Sequence, residues 1–182
     1  MRIFYDTEFI EDGRTIDLIS IGMVAEDGRE LYLVNRDMPF RRIRKHQWLM
    51  ANVVPHLPKA YGDARNHMPR CWLFNYADPC VRSRRYIAAQ VGDFFRATPD
   101  PELWAWYGAY DHVVLAQLWG PMVNLPPGVP MWTNDVRQEV YRHYGDRAMP
   151  EQVGAEHNAL ADARHVRKMF DLLQVKEARA DG

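Results

Sequence analysis

The dipeptide Asp27-Gly28 constrains the fold of this chain more than any other short segment. It separates Leu18–Val24, where every second residue is a large apolar one, from the apolar run Leu31–Val34. A tight hairpin turn requires positive φ, which glycine adopts without strain, so the pattern predicts two antiparallel strands. An apolar run over Arg2–Tyr5 predicts a further strand before them. Strands one to three are therefore expected to form an antiparallel meander.

The rest of the chain alternates between helical and strand patterns. Apolar spacing predicts helices over 43–57, 85–96, 111–119 and 158–173 and one through 140–141, with strands over 103–107 and 131–133. This order predicts an α/β fold: a mixed five-stranded sheet with helices on both faces. A chain of 182 residues fits a single domain, here placed at 1–175. Residues 62–79 are interpreted as an insertion loop and 176–182 as a disordered tail.

Composition restricts the function classes. The net charge of −1 gives no overall basic field to indicate a nucleic-acid partner, although a carboxylate-rich site would subtract from any such field. The basic clusters Arg41–Lys45 and Arg82–Arg85 are either solvated helix faces or phosphate contacts. Cys71 and Cys80 have no zinc-ligand spacing. Without a signal-peptide core or a membrane-length apolar run, the chain is expected to be soluble and cytoplasmic, with no membrane partner.

Two carboxylates, Asp6 and Glu8, end the first apolar strand. Residues two apart on a strand point to the same face, so the two anions are expected side by side. They would repel each other and lose solvation, which a hard cation such as Mg²⁺ or Mn²⁺ relieves. The alternative is an ordinary solvated strand end.

Asp111 and Asp162 lie at comparable places. Asp111 follows the aromatic strand at a helix start, where it is either a ligand or an N-cap. Asp162 lies in the first turns of the last helix, where it is either a ligand or a surface residue that favours the helix dipole. His157 precedes the predicted N-cap Asn158, and from that loop it can fold back towards Asp162. Beside a metal site it is a possible general base, and elsewhere an ordinary surface histidine.

Together these residues have a chemistry that none has alone. Four carboxylates at strand ends can hold two divalent cations about 3.5–4 Å apart, as in phosphodiester-cleaving enzymes. His157 would then take the proton from the attacking water.

The order of these motifs resembles the DEDDh 3′–5′ exonucleases, the RNase T / DnaQ-like branch of the RNase H-like fold. The resemblance is carried by Asp6-Thr7-Glu8, by Asp111 after an aromatic strand, and by His157-Asn158-Ala159-Leu160-Ala161-Asp162. The segments Trp106–Leu115 and Trp48–Pro58 are similar to the actinobacterial polyadenylate-specific 3′-exoribonuclease AS family. The match runs from residue 3 to about residue 173.

The resemblance implies functions for individual residues. Asp6 would bridge two Mg²⁺ or Mn²⁺ ions per active site, with their shells completed by Glu8, Asp111 and Asp162, and His157 would be the catalytic base. Substrate binding would fall to Phe9, Thr7 and Tyr110; for Phe9 and Tyr110, as for Trp48 and Trp132, the alternative is core packing.

The implied activity is the removal of nucleoside 5′-monophosphates from single-stranded or overhanging RNA 3′ ends. The resemblance also implies a homodimer in which the basic clusters of one subunit grip RNA for the other's site. Alternatives are a DNA 3′–5′ exonuclease of repair or proofreading and a non-catalytic nucleic-acid-binding module.

Overall fold

The structure is a computed structural model, and it describes residues 1–59, 72, 74–145, 150–154 and 156–180. The strands of its sheet are β1 (Arg2–Glu11), β2 (Ile16–Ala25), β3 (Glu30–Asn35), β4 (Val81–Arg82), β5 (Glu102–Ala105) and β6 (Asn134–Asp135). They lie in the order β4-β3-β2-β1-β5-β6. β1, β2 and β3 pair antiparallel, which confirms the predicted meander, and the remaining pairs are parallel.

Helices cover both faces of this mixed sheet, as predicted. They are α1 (Phe40–Ile43), α2 (Gln47–Asn52), α3 (Arg84–Arg96), α4 (Ala109–Ala116), α5 (Val136–Tyr144) and α6 (Ala159–Ala180). The architecture is consistent with an RNase H-like α/β fold. Among the described residues, no helix combines the length and the apolar character needed to cross a membrane.

The predicted count of five strands was too low by one. The added strand, β4, pairs through only two residues with the end of β3. The strand predicted over 131–133 is displaced to Asn134–Asp135, beside β5. A two-residue strand is too short to show an alternating pattern, so its position depends on its partner strand rather than on its own sequence.

The helix predicted over 43–57 is divided. α1 ends near Arg44, and α2 begins after His46, whose Nδ1 accepts a hydrogen bond from the Leu49 N–H. Residues Val54–His56 then form a 3₁₀ turn containing Pro55. Of the predicted insertion 62–79, residues 62–71 and 73 lie outside the described residues. The domain limits 1–175 and the disordered tail 176–182 stay predictions.

The central strand β1 contributes to a hydrophobic core on each side of the sheet. Ile3 and Tyr5 pack with residues of α3 and α4, whereas Phe4 packs with residues of α5 and α6. Because side chains alternate along a strand, Asp6 continues the Phe4 face towards α6 and Thr7 continues the Tyr5 face towards α4. The residues that follow this core thus lie where β1, α4 and α6 meet.

Candidate active site

Asp6 and Glu8 lie on β1 just beyond the hydrophobic core. Asp6 is half-buried and Glu8 is only 8% exposed. The pairing of β1 with β2 shifts register between Glu8 and Phe9: Glu8 pairs with Ser20 and Phe9 with Leu18, so β2 carries an extra residue, Ile19, as at a β-bulge. Bulges are frequent beside active sites because they redirect the side chains around them. The two neighbouring carboxylates therefore lie beside a local irregularity in the pairing of β1 with β2.

Asp111 reaches the same place from the first turn of α4. It is buried, and its Oδ1 accepts two hydrogen bonds from Thr7, one from the backbone N–H at 2.9 Å and one from the hydroxyl at 2.6 Å. These bonds tie α4 to β1 and hold the Asp111 carboxylate in one orientation. Thr7, predicted to bind substrate, is itself buried and directs its hydroxyl at Asp111.

Asp162 is placed by the start of α6. The Asn158 Oδ1 accepts a hydrogen bond from the Ala161 N–H at 3.1 Å, as an N-cap residue does. The helix start lies directly on β2 at Gly22, which pairs with Asp6 across the sheet. A Cβ added at Gly22 would lie 2.3 Å from backbone atoms of Ala159. Only glycine permits this approach, which brings Asp162 to the β1 carboxylates.

His157 lies between α6 and the β1 carboxylates. Its φ is 62°, in the left-handed region that histidine adopts more readily than most residues. The Trp48 ring packs against its imidazole, with ring centroids 4.8 Å apart and planes at 74°. One ligand atom each of Glu8, His157 and Asp162 lies within 4.8 Å of the others. The structure thus brings the predicted histidine to the predicted carboxylates.

The carboxyl groups of this cluster lie close together and partly away from water, and both conditions disfavour their charged forms. Burial, and then the charges of Asp111, Glu8 and Asp162, raise the pKa of Asp6 well above its ordinary range. Burial, followed by the charges of Asp162 and Asp111, raises the pKa of Glu8 to about 8. Burial also raises the pKa of Asp111 to about 6, against the Thr7 hydrogen bonds that lower it, and raises the pKa of Asp162. A bound cation would relieve this strain.

A cavity of about 280 Å³ opens over the carboxylates. Besides them, His157 and Thr7, its described lining consists of five aromatic residues: Phe9, Trp48, Trp106, Tyr107 and Tyr110. Phe9 and Tyr110 stack with centroids 5.9 Å apart and planes at 10°. Tyr110 is 60% exposed, so one face of this stack is open to a ligand.

Comparison with known proteins finds relatives of this chain whose names state an activity. The chain is 46% identical over 175 residues to two proteins named as 3′-5′ exoribonucleases, from the CDC 1551 and H37Rv strains of Mycobacterium tuberculosis. Each alignment covers 95% of this chain and 93% of the relative. The chain belongs to this exoribonuclease family. No protein-family model matches it.

Two residues of this family member were missed by the sequence analysis. Gln152 donates a hydrogen bond from Nε2 to Asp162 Oδ1 at 2.5 Å and so ties the loop before His157 to α6. It lies in a loop without periodicity, where no sequence signal singles it out.

Asp135 holds the turn that leads into α4. It caps α5 and also accepts hydrogen bonds from the backbone N–H groups of Tyr107 and Gly108, at 3.3 and 3.2 Å. A helix N-cap pattern could have located Asp135 in the sequence, but not its contact with the turn before Asp111.

Other predicted residues lie apart from the site. Trp132, 67% exposed, lines a different cavity with Trp104. In the second basic cluster, Arg82 and Arg84 donate to backbone carbonyls, whereas Arg85 is exposed. In the first, Arg42 pairs with Asp12 and Asp17, while Arg41 and Lys45 are exposed.

Proposed function

We propose that this protein is a metal-dependent 3′–5′ exoribonuclease of the DEDDh type, similar to the polyadenylate-specific 3′-exoribonuclease AS family. It would release nucleoside 5′-monophosphates from single-stranded or overhanging RNA 3′ ends. The observation that carries the proposal is the convergence of four carboxylates and His157 from β1, α4 and the start of α6. The names of the two mycobacterial relatives support the RNA substrate and the direction of digestion.

The residues present fit a pair of Mg²⁺ or Mn²⁺ ions. Carboxylate oxygens are the ligands that these cations prefer. Four carboxylates carry more negative charge than Arg137, which lines an adjoining cavity with Asp6 and Asp162, can offset. Asp6, Glu8, Asp111 and Asp162 would hold the ions. When bound, the ions would neutralise charge on the phosphodiester and activate water for attack on phosphorus.

The chain's own groups would prepare and complete this reaction. Thr7 holds the Asp111 carboxylate, and Gln152 holds Asp162 Oδ1. His157, against which Trp48 packs, would accept the proton that the attacking water releases. Imidazole suits that task because its ordinary pKa lies near neutrality.

The aromatic lining of the cavity would take the 3′-terminal nucleoside. Phe9 and Tyr110 form an exposed stack beside the carboxylates, and base–aromatic stacking contributes about 1–3 kcal/mol per base. Stacking tolerates any base, so this pocket favours a free strand end over a particular sequence. A homodimer and a cytoplasmic location remain predictions.

Digestion of matched 5′-labelled RNA and DNA oligomers tests the proposal. With Mg²⁺ or Mn²⁺ we expect a ladder of RNA products that shorten stepwise from the 3′ end, no digestion in EDTA, and none by Asp162→Asn. Faster digestion of DNA would instead indicate a DNA exonuclease. Absence of digestion of both substrates would indicate a non-catalytic binding module.

A further inference from the structure

The position of His157 has a second chemical consequence besides proton transfer. Only the effect of that consequence on activity rests on the proposed function. One imidazole nitrogen and one oxygen each from Glu8 and Asp162 lie within 4.8 Å of one another. A general base needs only to reach the water. Here the base is already close to two carboxylates, so its nitrogen is also placed as a metal ligand.

We propose that Glu8, His157 and Asp162 form an inhibitory site for a single Zn²⁺ ion. Bound there, the ion uses the lone pair of the His157 imidazole that would otherwise accept a proton. It also occupies two of the four carboxylates needed by the working Mg²⁺ or Mn²⁺ pair. Zinc binding and catalysis therefore exclude each other.

The donor set favours zinc over the working cations. Zn²⁺ binds both imidazole nitrogen and carboxylate oxygen, at about 2.0–2.2 Å and in tetrahedral geometry. The three ligand atoms lie within 4.8 Å of one another, so small side-chain rotations would bring them to one ion. Nitrogen and oxygen sites bind Zn²⁺ more tightly than Mn²⁺ in the usual order of divalent metals. Mg²⁺ prefers oxygen ligands and octahedral geometry, so it gains nothing from the imidazole.

Neighbouring residues support this arrangement. Trp48 packs edge to face on the imidazole, which limits the ring's freedom to turn away from the carboxylates. Gln152 donates a hydrogen bond to Asp162 Oδ1, which orients the carboxylate and leaves further lone pairs for a metal. Hydrogen bonds of this kind orient metal ligands and strengthen binding. Two carboxylates and a neutral imidazole balance the charge of one divalent ion.

Metal titration of the protein without substrate gives a first test. Zn²⁺ would be titrated against a chromophoric chelator, and Co²⁺ would report geometry through its visible absorption. We expect one tightly bound Zn²⁺ ion, and an intense visible absorption from Co²⁺ that is typical of four-coordinate geometry. In His157→Asn, Zn²⁺ affinity should fall at least about tenfold, since even residues behind the ligands contribute that much, while Mn²⁺ affinity stays at the wild-type value.

The variants are chosen to keep the fold. Asparagine tolerates the positive φ of residue 157, so His157→Asn removes the nitrogen ligand without straining the backbone. His143→Asn, an exposed histidine of α5 that faces Glu139, is the matched control and should bind Zn²⁺ as the wild type does. Equal Zn²⁺ affinity of wild type and His157→Asn, or a weak octahedral Co²⁺ spectrum, would overturn the proposal.

An activity assay separates this inference from the proposed function. Zn²⁺ should inhibit Mn²⁺-supported RNA digestion by the wild type, and a zinc-selective chelator should restore it. If the protein digests RNA but binds zinc equally well without His157, the zinc site is refuted and the proposed exoribonuclease activity stands. Zinc binding that depends on His157, without digestion of RNA under any condition, would support the site and refute the activity.

Discussion

At the residue scale, Glu8 shows the cost of assembling this cluster without metal. Burial raises its pKa from an ordinary 4.5 to about 8. Between those two pH values the folded state retains a proton that the unfolded state has released. The free energy of unfolding of the metal-free protein should therefore fall as pH rises from about 4.5 to about 8.

Glu8→Gln should reduce this pH dependence in EDTA, and the part that remains should come from Asp6, Asp111 and Asp162, whose pKa values burial also raises. The amide keeps the shape of the side chain and carries no charge, so the variant should melt higher than the wild type at pH 8. Each kcal/mol recovered would raise Tm by roughly 2–4 °C in a chain of this size. With Mn²⁺ the order should reverse, because only the wild type retains the ligand.

Thermal melts across pH 5–8, with and without Mn²⁺, measure both effects. Glu11→Gln, at the exposed end of the same strand, is the control and should follow the wild type. A lower Tm for Glu8→Gln than for the wild type at pH 8 in EDTA would contradict the pKa argument.

His157→Asn should lower kcat by about 10²–10⁴-fold, the usual effect of losing a general base. Its affinity for Mn²⁺ and its KM for RNA should change little, because neither depends on the imidazole. Single-turnover digestion at saturating Mn²⁺ measures the chemical step. Retention of the wild-type rate would show that His157 is not the base.

Thr7→Val tests whether Thr7 orients Asp111 or binds substrate. Loss of the 2.6 Å hydroxyl hydrogen bond should weaken Mn²⁺ binding by about 10–100-fold, the usual effect of losing a group that orients a metal ligand. Thr7→Ser keeps the hydroxyl and should restore binding. A higher KM for RNA with unchanged Mn²⁺ affinity would indicate a direct contact with substrate instead.

At the element scale, the close approach of α6 to β2 sets the position of Asp162. Gly22→Ala would place a Cβ 2.3 Å from the Ala159 backbone, so the start of α6 must move. Overpacking of this kind costs about 1–3 kcal/mol. Because Asp162 moves with the helix, Mn²⁺ affinity should fall together with Tm.

Gly92→Ala provides the matched control. A Cβ there would meet only the flexible end of Arg96 at 3.4 Å and the Trp119 ring at 3.9 Å. Within α3, alanine should raise stability by up to about 1 kcal/mol. Wild-type Mn²⁺ affinity in Gly22→Ala would show that α6 can shift without disturbing Asp162.

The elements also show how much the sequence alone could predict. The meander and the long helices were identifiable because their patterns run over many residues, as from Leu18 to Val24. β4 and β6 were missed or displaced because each depends on a two-residue pairing with a distant segment. The division of the helix predicted over 43–57 depends on the capping of α2 by His46, which apolar spacing does not reveal.

The same distinction applies to the site. Asp6 and Glu8 follow the apolar run of β1, and Asp111 and Asp162 lie in the first turns of helices, so the order of strands and helices along the chain predicted their convergence. The contact of Trp48 with His157 and the hydrogen bond of Gln152 join segments distant in sequence or irregular in structure. Such contacts depend on loop conformation, which hydrophobic periodicity does not describe.

At the scale of the whole molecule, a net charge of −1 conceals an uneven distribution. Four carboxylates are concentrated where β1, α4 and α6 meet, while exposed basic residues such as Arg41 and Lys45 lie on the segment that leads to Trp48 at the rim of the cavity. Two bound divalent cations would neutralise these four carboxylates and so remove their repulsion of the RNA backbone. The overall charge is therefore a poor guide to the partner of this fold.

The central claim is that this site cleaves the last phosphodiester of RNA and leaves the phosphate on the released nucleotide. Its most direct test is an RNA with a radiolabelled phosphate in the linkage before the 3′-terminal nucleotide, incubated with the protein and Mg²⁺ or Mn²⁺. We predict that all label first appears as nucleoside 5′-monophosphate, and that Asp6→Asn releases none. Label that stays on the shortened RNA as a 3′-phosphate, or that appears in internal fragments, would contradict the account.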